Sequence, residues 1–143
     1  MIQTCKGKLM RVNLQPCFCG RTHKNKIALF GQCCGRYLDH FATSPAPDAE
    51  SLMRSRYSAF VLERQTYLQQ TWFSTRRPVD LSFEPNVKWL GLEVKACRMT
   101  GPTQAEVEFV ARSRLNGVPT RLHELSHFVK EDGRWFYVDG IQR

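Results

Sequence analysis

From Phe83 onward the sequence alternates between apolar and polar residues, and turn signals divide this alternation at nearly regular intervals. Asn116-Gly117 and Asp132-Gly133 favour the positive backbone angles of two-residue hairpin turns, and Gly101-Pro102 marks a further turn. We therefore predict four strands, over 87–94, 105–114, 121–130 and 134–139. Strands joined by such short turns pair with their sequence neighbours, so the chain must build an antiparallel meander with a face to cover.

Two predicted helices precede the meander and can cover it. Asp48 is a good N-cap residue, and the apolar side chains after it recur at helical spacing over 49–62. A second, shorter helix is predicted from about Thr66 to Phe73. Helices followed by an antiparallel sheet define an α+β fold.

The proline-containing turn at 43–47 divides the chain into two predicted parts. Residues 1–43 form an N-terminal segment, loose over 1–14 and rich in cysteine afterwards, and residues 44–143 form the α+β domain. The sequence has no apolar run of about 18 residues and no secretion-signal pattern near its basic N-terminus. We expect a soluble, cytoplasmic protein.

Four of the six cysteines are closely spaced, as Cys17-x-Cys19 and, thirteen residues later, Cys33-Cys34. In a reducing cytosol such a cluster favours metal ligation over disulfides. Four thiolates suit the tetrahedral preference of zinc, and they also accept iron. We predict a zinc site and keep iron as an alternative. The other reading is a set of free thiols in an apolar patch.

The net charge of +8 is concentrated near the N-terminus. Residues 1–40 carry +6, from seven basic groups and one acidic group, and residues 41–143 carry +2, from 14 basic and 12 acidic groups. A basic arm can dock on an acidic protein face or on phosphates. Before Tyr37 only Phe18 and Phe30 could stack on bases, which is few for a nucleic-acid platform. We favour a protein partner and keep RNA or ribosome binding as an alternative.

Several motifs together resemble one bacterial family. They are Cys17-x-Cys19 with Cys33-Cys34, the segment 52–60, Trp89-Leu-Gly-Leu92, the segment 107–112, His123-Glu-x-Ser126-x-Phe128 and the segment 132–140. They resemble the YchJ-like proteins, which join a SEC-C metal knuckle to a cystatin-like domain similar to nuclear transport factor two. The resemblance covers about residues 16–140. It implies helices packed on a curved antiparallel sheet to form a cone, with the knuckle at the N-terminus.

The knuckle itself is similar to the metal-binding tail of the SecA translocation motor. This similarity implies a partner in the secretion or ribosome-associated machinery. The loop between the two cysteine pairs is longer here than in the family and lacks its Ser-Gly, which makes His23 an alternative ligand. Adjacent Cys33 and Cys34 can both ligate only if the backbone bends sharply, which Gly31 and Gly35 could permit.

The implied cone can enclose a small-molecule pocket. The candidate pocket residues are Arg56, Tyr57, Trp89, Arg112, His127, Tyr137 and Asp139. Cross-strand ion pairs that hold the meander in register are the favoured role of its charged residues. Likewise, Arg54 and Arg56 either form an anion-binding edge or, as we favour, brace the helix against Glu106 or Glu108. No catalytic residue is predicted. We favour a non-enzymatic adaptor, with a small-molecule binder or enzyme as the alternative.

Overall fold

The computed structural model describes residues 11–143, so the first ten residues, which include most of the predicted tail 1–14, lie outside the described part of the chain. The short N-terminal elements are β1 (Thr22–His23), β2 (Lys26–Ile27), a 3-10 turn (Phe30–Gln32) and α1 (Gly35–Leu38). Two helices follow, α2 (Ala49–Val61) and α3 (Gln65–Gln70). The chain ends in four strands, β3 (Val87–Gly101), β4 (Gln104–Leu115), β5 (Val118–Glu131) and β6 (Arg134–Gln142). The predicted α+β class is confirmed.

The long strands form one antiparallel meander in the order β3-β4-β5-β6. Both predicted hairpin turns have positive φ at their two central residues, 51° and 80° at Asn116-Gly117 and 52° and 78° at Asp132-Gly133. Strand β3 contains three register shifts against β4. Such bulges increase the local twist of a strand and bend it, so the sheet has a concave face.

Helix α2 begins where the sequence predicts, because the side chain of Asp48 accepts a hydrogen bond from the backbone N–H of Ser51 at 2.7 Å. Helix α3 ends at Gln70, before the predicted Phe73. Beyond it the backbone pairs with β6: the N–H of Tyr137 donates to the Thr71 carbonyl at 2.8 Å, and the N–H of Phe73 donates to the Tyr137 carbonyl at 2.7 Å. The Thr71 N–H still bonds to the Tyr67 carbonyl as in a helix, but the Thr71 carbonyl and the Phe73 N–H bond to the sheet instead of continuing the helix.

The core lies between α2 and the inner face of the sheet, and the N-terminal segment joins it. Leu52 of α2 and Val107 and Phe128 of the sheet are almost fully buried, as is Phe30 of the 3-10 turn. Residues 11–13 are helical and Val12 packs against this core, so this part of the predicted loose tail is ordered. Among the described helices none is both long and apolar enough to cross a membrane.

Candidate metal centre and domain cavity

The four cysteines that the sequence predicts as metal ligands lie close together in the structure. The sulfur atoms of Cys17, Cys19, Cys33 and Cys34 all lie within 4.8 Å of one another, and those of Cys19 and Cys33 are 3.7 Å apart. All four side chains are buried. In a tetrahedral zinc–thiolate site with bonds of about 2.3 Å, the sulfurs lie about 3.8 Å apart. The cluster therefore has the donor set and spacing of a four-coordinate metal site. His23, the alternative ligand, is exposed and not part of it.

A small hairpin accommodates the long loop between the two cysteine pairs. Thr22 of β1 pairs with Ile27 of β2, and the turn between them has positive φ at Lys24 and Asn25. At the base of the hairpin the N–H of Cys17 donates to the Ala28 carbonyl at 2.8 Å. The extra residues thus fold back on themselves and return the chain to the first cysteine pair.

The adjacent cysteines straddle a sharp change in backbone direction. Cys33 follows the 3-10 turn with φ −128° and ψ −114°, and Cys34 precedes α1 with helical angles of −63° and −30°. Gly35 allows α1 to pack against the turn, because a Cβ at this position would lie 2.7 Å from the carbonyl oxygen of Phe30. Its role is close packing rather than a left-handed backbone.

The electrostatics of the four thiols favour thiolates at Cys17 and Cys19, whose pKa values are lowered, and oppose them at Cys33 and Cys34, whose pKa values are raised. Hydrogen bonds from the thiols of Cys19, Cys33 and Cys34 lower the pKa of the Cys17 thiol. In contrast, hydrogen bonding with Cys17 and the other two thiols, together with burial, raises the pKa of the Cys34 thiol. A divalent cation at the centre would offset the repulsion among thiolates and keep all four deprotonated.

Arginines next to the cluster fix the backbone that carries the ligands. Arg54 of α2 donates from Nη1 to the Cys19 carbonyl at 3.0 Å and from Nε to Glu50 at 2.8 Å. Arg36 of α1 donates from Nε to the Cys33 carbonyl at 3.3 Å. On the α2 side, the hydroxyl of Ser58 lies 3.8 Å from the Cys17 sulfur. The cluster is therefore attached to the α+β domain by polar contacts as well as by the shared core.

A basic groove runs along the outside of the cluster. It has a volume of about 470 Å³, and its charged or titratable lining residues besides Cys33 are Arg21, His23, Lys26 and Arg36. Glu50 lies 3.8 Å from the Arg21 guanidinium but does not line the groove. The aromatic candidates for base stacking are not free on this surface, because Phe30 and Tyr37 are buried and Phe18 packs edge-on against Phe30.

A second cavity, of about 250 Å³, lies between α2 and the concave face of the sheet. Four of the seven candidate pocket residues line it, namely Arg56, Tyr57, Trp89 and Tyr137. The other three, Arg112, His127 and Asp139, lie on the opposite face of the sheet. Arg112 neighbours the inward-facing Ala111 in β4, and His127 neighbours Phe128, whose side chain lines the cavity.

A β-bulge separates Tyr137 from Asp139. Residues two apart in a regular strand share a face, yet Tyr137 pairs with Phe128 and Asp139 pairs with His127, with a register shift between them. Because paired residues share a face and neighbours do not, Tyr137 points inward and Asp139 outward. On the outer face His127 Nδ1 lies 2.7 Å from Asp139, and His123 Nε2 lies 2.6 Å from Glu108. These are the cross-strand pairs favoured by the sequence.

The predicted brace of Arg54 and Arg56 against the sheet carboxylates is wrong. Arg54 contacts Glu50 and Cys19, as described above. Arg56 is 5% exposed and donates from Nη1 to the Leu68 carbonyl at 2.8 Å and to the Thr71 hydroxyl at 2.7 Å. Glu106 pairs instead with Arg98. Arg56 therefore lines the cavity from α2, and its hydrogen bonds to the end of α3 and to Thr71 hold it in place.

The predicted set of pocket residues leaves out three polar residues that line the cavity, Trp72, Glu124 and Ser126. Alternation in β5 places Glu124 and Ser126 on the same face as Phe128, so the signal for these two was present. Trp72 lies where α3 gives way to pairing with β6, and nothing in the sequence marks that change.

Comparisons with known proteins agree with this architecture. Residues 48–140 match the family described as YchJ, middle NTF2-like domain. The chain is thus an NTF2-like α+β protein that carries an N-terminal four-cysteine cluster. It belongs to the YchJ-like UPF0225 family, and the resemblance stated from its motifs is confirmed.

Relatives match over nearly the whole chain. A UPF0225 protein of Polaromonas sp. is 60% identical over 129 residues, which is 89% of this chain and 93% of the relative. One from Bordetella pertussis is 56% identical over 127 residues, 87% of this chain and 90% of the relative. The solution structure of a SEC-C motif containing protein from Rhodopseudomonas palustris has a TM-score of 0.77 at 31% identity, covering 89% of this chain and 98% of that one. The crystal structure of a SEC-C motif containing protein from Psychrobacter arcticus has a TM-score of 0.77 at 30% identity, covering 91% and 84%.

Proposed function

We propose that the four-cysteine cluster binds one zinc ion and that the metal-ordered knuckle is a docking module for an acidic protein segment. The observation that carries the proposal is the convergence of four buried sulfurs within 4.8 Å. Structural zinc sites are closed by four protein ligands, whereas catalytic sites keep a position open for water or substrate. With four buried cysteines, Cys17, Cys19, Cys33 and Cys34, the site is of the closed kind.

The surrounding segment needs such an ion to fold. Between residues 15 and 40 its regular structure is limited to two strands of two residues, a three-residue 3-10 turn and a four-residue helix. Elements this short do not hold together through their own hydrogen bonds. Binding of a structural zinc ion contributes roughly 10–16 kcal/mol of apparent free energy, which is ample to order the segment.

The basic groove beside the cluster supports an acidic partner. Arg21, His23, Lys26 and Arg36 line it, and the N-terminal 40 residues hold most of the excess positive charge. Because its aromatic side chains are buried or packed on each other, this surface lacks the stacking platform of proteins that bind single-stranded RNA. Charge complementarity without stacking favours a carboxylate-rich protein segment.

The metal proposal is tested by elemental analysis of untagged protein. We expect one zinc per chain in the wild type and none in the double variant Cys33→Ser/Cys34→Ser. Cys97→Ser is the matched control, because Cys97 is exposed and lies outside the cluster, and it should retain the zinc. Iron in place of zinc would show that the cluster binds a metal and that the proposed identity of the metal is wrong. Wild-type protein without any metal would overturn the proposal.

The docking proposal is tested with two polyanions, a poly-glutamate peptide and a single-stranded RNA homopolymer. We expect the metal-loaded protein to bind the peptide more tightly than the RNA, with affinity falling as salt rises. Lys26→Glu should weaken binding, and Lys88→Glu, which makes the same change at an exposed position on the sheet, should not. Tighter binding of the RNA, or equal effects of the two variants, would refute docking of an acidic protein segment at this groove.

A further inference from the structure

The cavity between α2 and the sheet has the walls of a binding site for a small organic molecule. Six large apolar side chains line it, Met53, Phe60, Trp89, Phe109, Leu122 and Phe128. Its volume of about 250 Å³ falls just below the range of roughly 300–1,000 Å³ typical of pockets for drug-sized ligands. It therefore suits a molecule with one ring and a short substituent.

A buried cation borders this apolar space. Arg56 is 5% exposed, and within the described chain no carboxylate oxygen lies within 4.0 Å of its guanidinium. Its two hydrogen bonds both come from Nη1. The rings of Trp72 and Tyr137 cover the guanidinium, with centroids 4.9 and 4.7 Å from its central carbon. Burial lowers the pKa of Arg56 to about 10, so the group remains charged at neutral pH.

One residue that lines the same cavity carries a donor without an acceptor. Trp72 lines the cavity, and its indole nitrogen is buried without a hydrogen-bond partner in the described structure. Buried N–H groups are nearly always paired in folded proteins, and an unpaired one calls for an explanation. The Arg56 guanidinium feels the charge of Glu124 but contacts no carboxylate, and the Trp72 N–H has no acceptor, so an anionic oxygen would suit both groups.

The cavity also contains one carboxylate, which limits where a ligand anion can lie. Glu124 accepts a hydrogen bond from the Ser126 hydroxyl at 2.7 Å, and its side chain occupies the space left open by the missing side chain of Gly140. Two like charges in a poorly solvated space repel each other strongly. A ligand carboxylate must therefore lie beside Arg56 and Trp72 and away from Glu124.

From these contacts we propose that the cavity binds a small aromatic carboxylate, whose ring lies among the apolar side chains and whose carboxylate accepts hydrogen bonds from Arg56 and Trp72. This function is separate from metal binding and docking at the knuckle. It requires neither catalysis nor a further cofactor.

The proposal is tested with three molecules that share a phenyl ring and differ at the polar end: phenylacetate, 2-phenylethanol and 2-phenylethylamine. Binding to the metal-loaded full chain is followed by tryptophan fluorescence, since Trp72 and Trp89 line the cavity, and by calorimetry. We expect phenylacetate to bind most tightly. Equal or tighter binding of the alcohol or the amine, or no saturable binding of any of the three, would overturn the proposal.

Variants assign the binding to the cavity. Trp72→Phe keeps a ring but removes the N–H donor, and we expect it to weaken phenylacetate about tenfold, as loss of one charge-assisted hydrogen bond does. Ala111→Leu reduces the cavity volume from the side of the sheet and should abolish binding. Arg56→Met removes the buried cation and should abolish binding, whereas Arg98→Met, the same charge change on an exposed arginine of the outer face, should leave binding unchanged. Circular dichroism of each variant separates loss of the ligand from loss of the fold. Folded Trp72→Phe and Ala111→Leu proteins that bind like the wild type would refute the assignment.

Discussion

Replacing Gly35 by alanine tests whether the metal centre depends on close packing of α1 against the 3-10 turn. An alanine Cβ would lie 2.7 Å from the Phe30 carbonyl oxygen and 2.9 Å from Cε2 of its ring. Phe30 is 1% exposed and packs in the core, so neither its backbone nor its ring has free space to move into. The helix must therefore shift, and it begins directly after the two ligands Cys33 and Cys34.

Two opposing terms set the size of the effect. Overpacking a well-packed core costs about 1–3 kcal/mol, whereas replacing glycine by alanine inside a helix gains at most about 1 kcal/mol. The gain is smaller here because Gly35 is the first residue of a four-residue helix. We expect a net loss of about 1–2 kcal/mol in the free energy of unfolding. If this strain falls on the metal-bound state, zinc affinity decreases about tenfold for each 1.4 kcal/mol.

The assay combines urea unfolding of the metal-loaded chain with competition for zinc against a colorimetric chelator. Gly101→Ala is the matched control, because its new methyl group would meet no atom closer than 3.5 Å. Gly35→Ala should lower both the unfolding free energy and the zinc affinity, and Gly101→Ala should change neither by much. If Gly35→Ala matches the control in both measurements, the packing argument is refuted.

Two further predictions concern metal removal and pH. A chelator should remove hydrogen-exchange protection from residues 15–40 and weaken it in α2, because Arg54 and Ser58 contact the cluster, while the β4–β5 ladder stays protected; an unchanged α2 or a deprotected ladder would contradict this. The hydrogen bond with His123 lowers the pKa of Glu108 below its ordinary value of 4.5. Its contribution to stability is therefore present above pH 4.5 and lost as the pH falls through the lowered pKa. Urea midpoints of the wild type and Glu108→Gln should differ at pH 5–6 and converge in acid; a constant difference would exclude this pair as the cause.

The order of the elements and the class of fold could be predicted because both depend on local signals. Asn116-Gly117 and Asp132-Gly133 fix the hairpins through backbone angles that few other residues adopt. The start of α2 is also set locally, because the Asp48 side chain accepts a hydrogen bond from the backbone N–H of Ser51. The end of α3 could not be predicted, because hydrogen bonds from a strand more than sixty residues away determine it, at Thr71 and Phe73.

The two candidate sites differ in how far the sequence could define them. The four candidate ligands of the knuckle are close in sequence, and their spacing alone predicts that these four cysteines form one cluster. The cavity is assembled from α2, the segment after α3 and all four long strands, and one bulge beside Tyr137 changes which residues enter it. A pattern with a period of two predicts the face of every residue up to a bulge and the wrong face beyond it.

The structure also indicates why a metal knuckle and a cone are joined in one short chain. The face of α2 turned from the sheet is polar, and it is fully buried at Ser55 and Ser58. The hydroxyl of Ser55 lies 2.7 Å from that of Tyr67, and Ser58 contacts the Cys17 sulfur. Without the knuckle, Ser58 would lose its contact with the Cys17 sulfur. The cluster therefore covers a helix whose opposite face carries Arg56 into the cavity. We therefore expect a metal bound by the cluster to stabilise the wall of the cavity through α2.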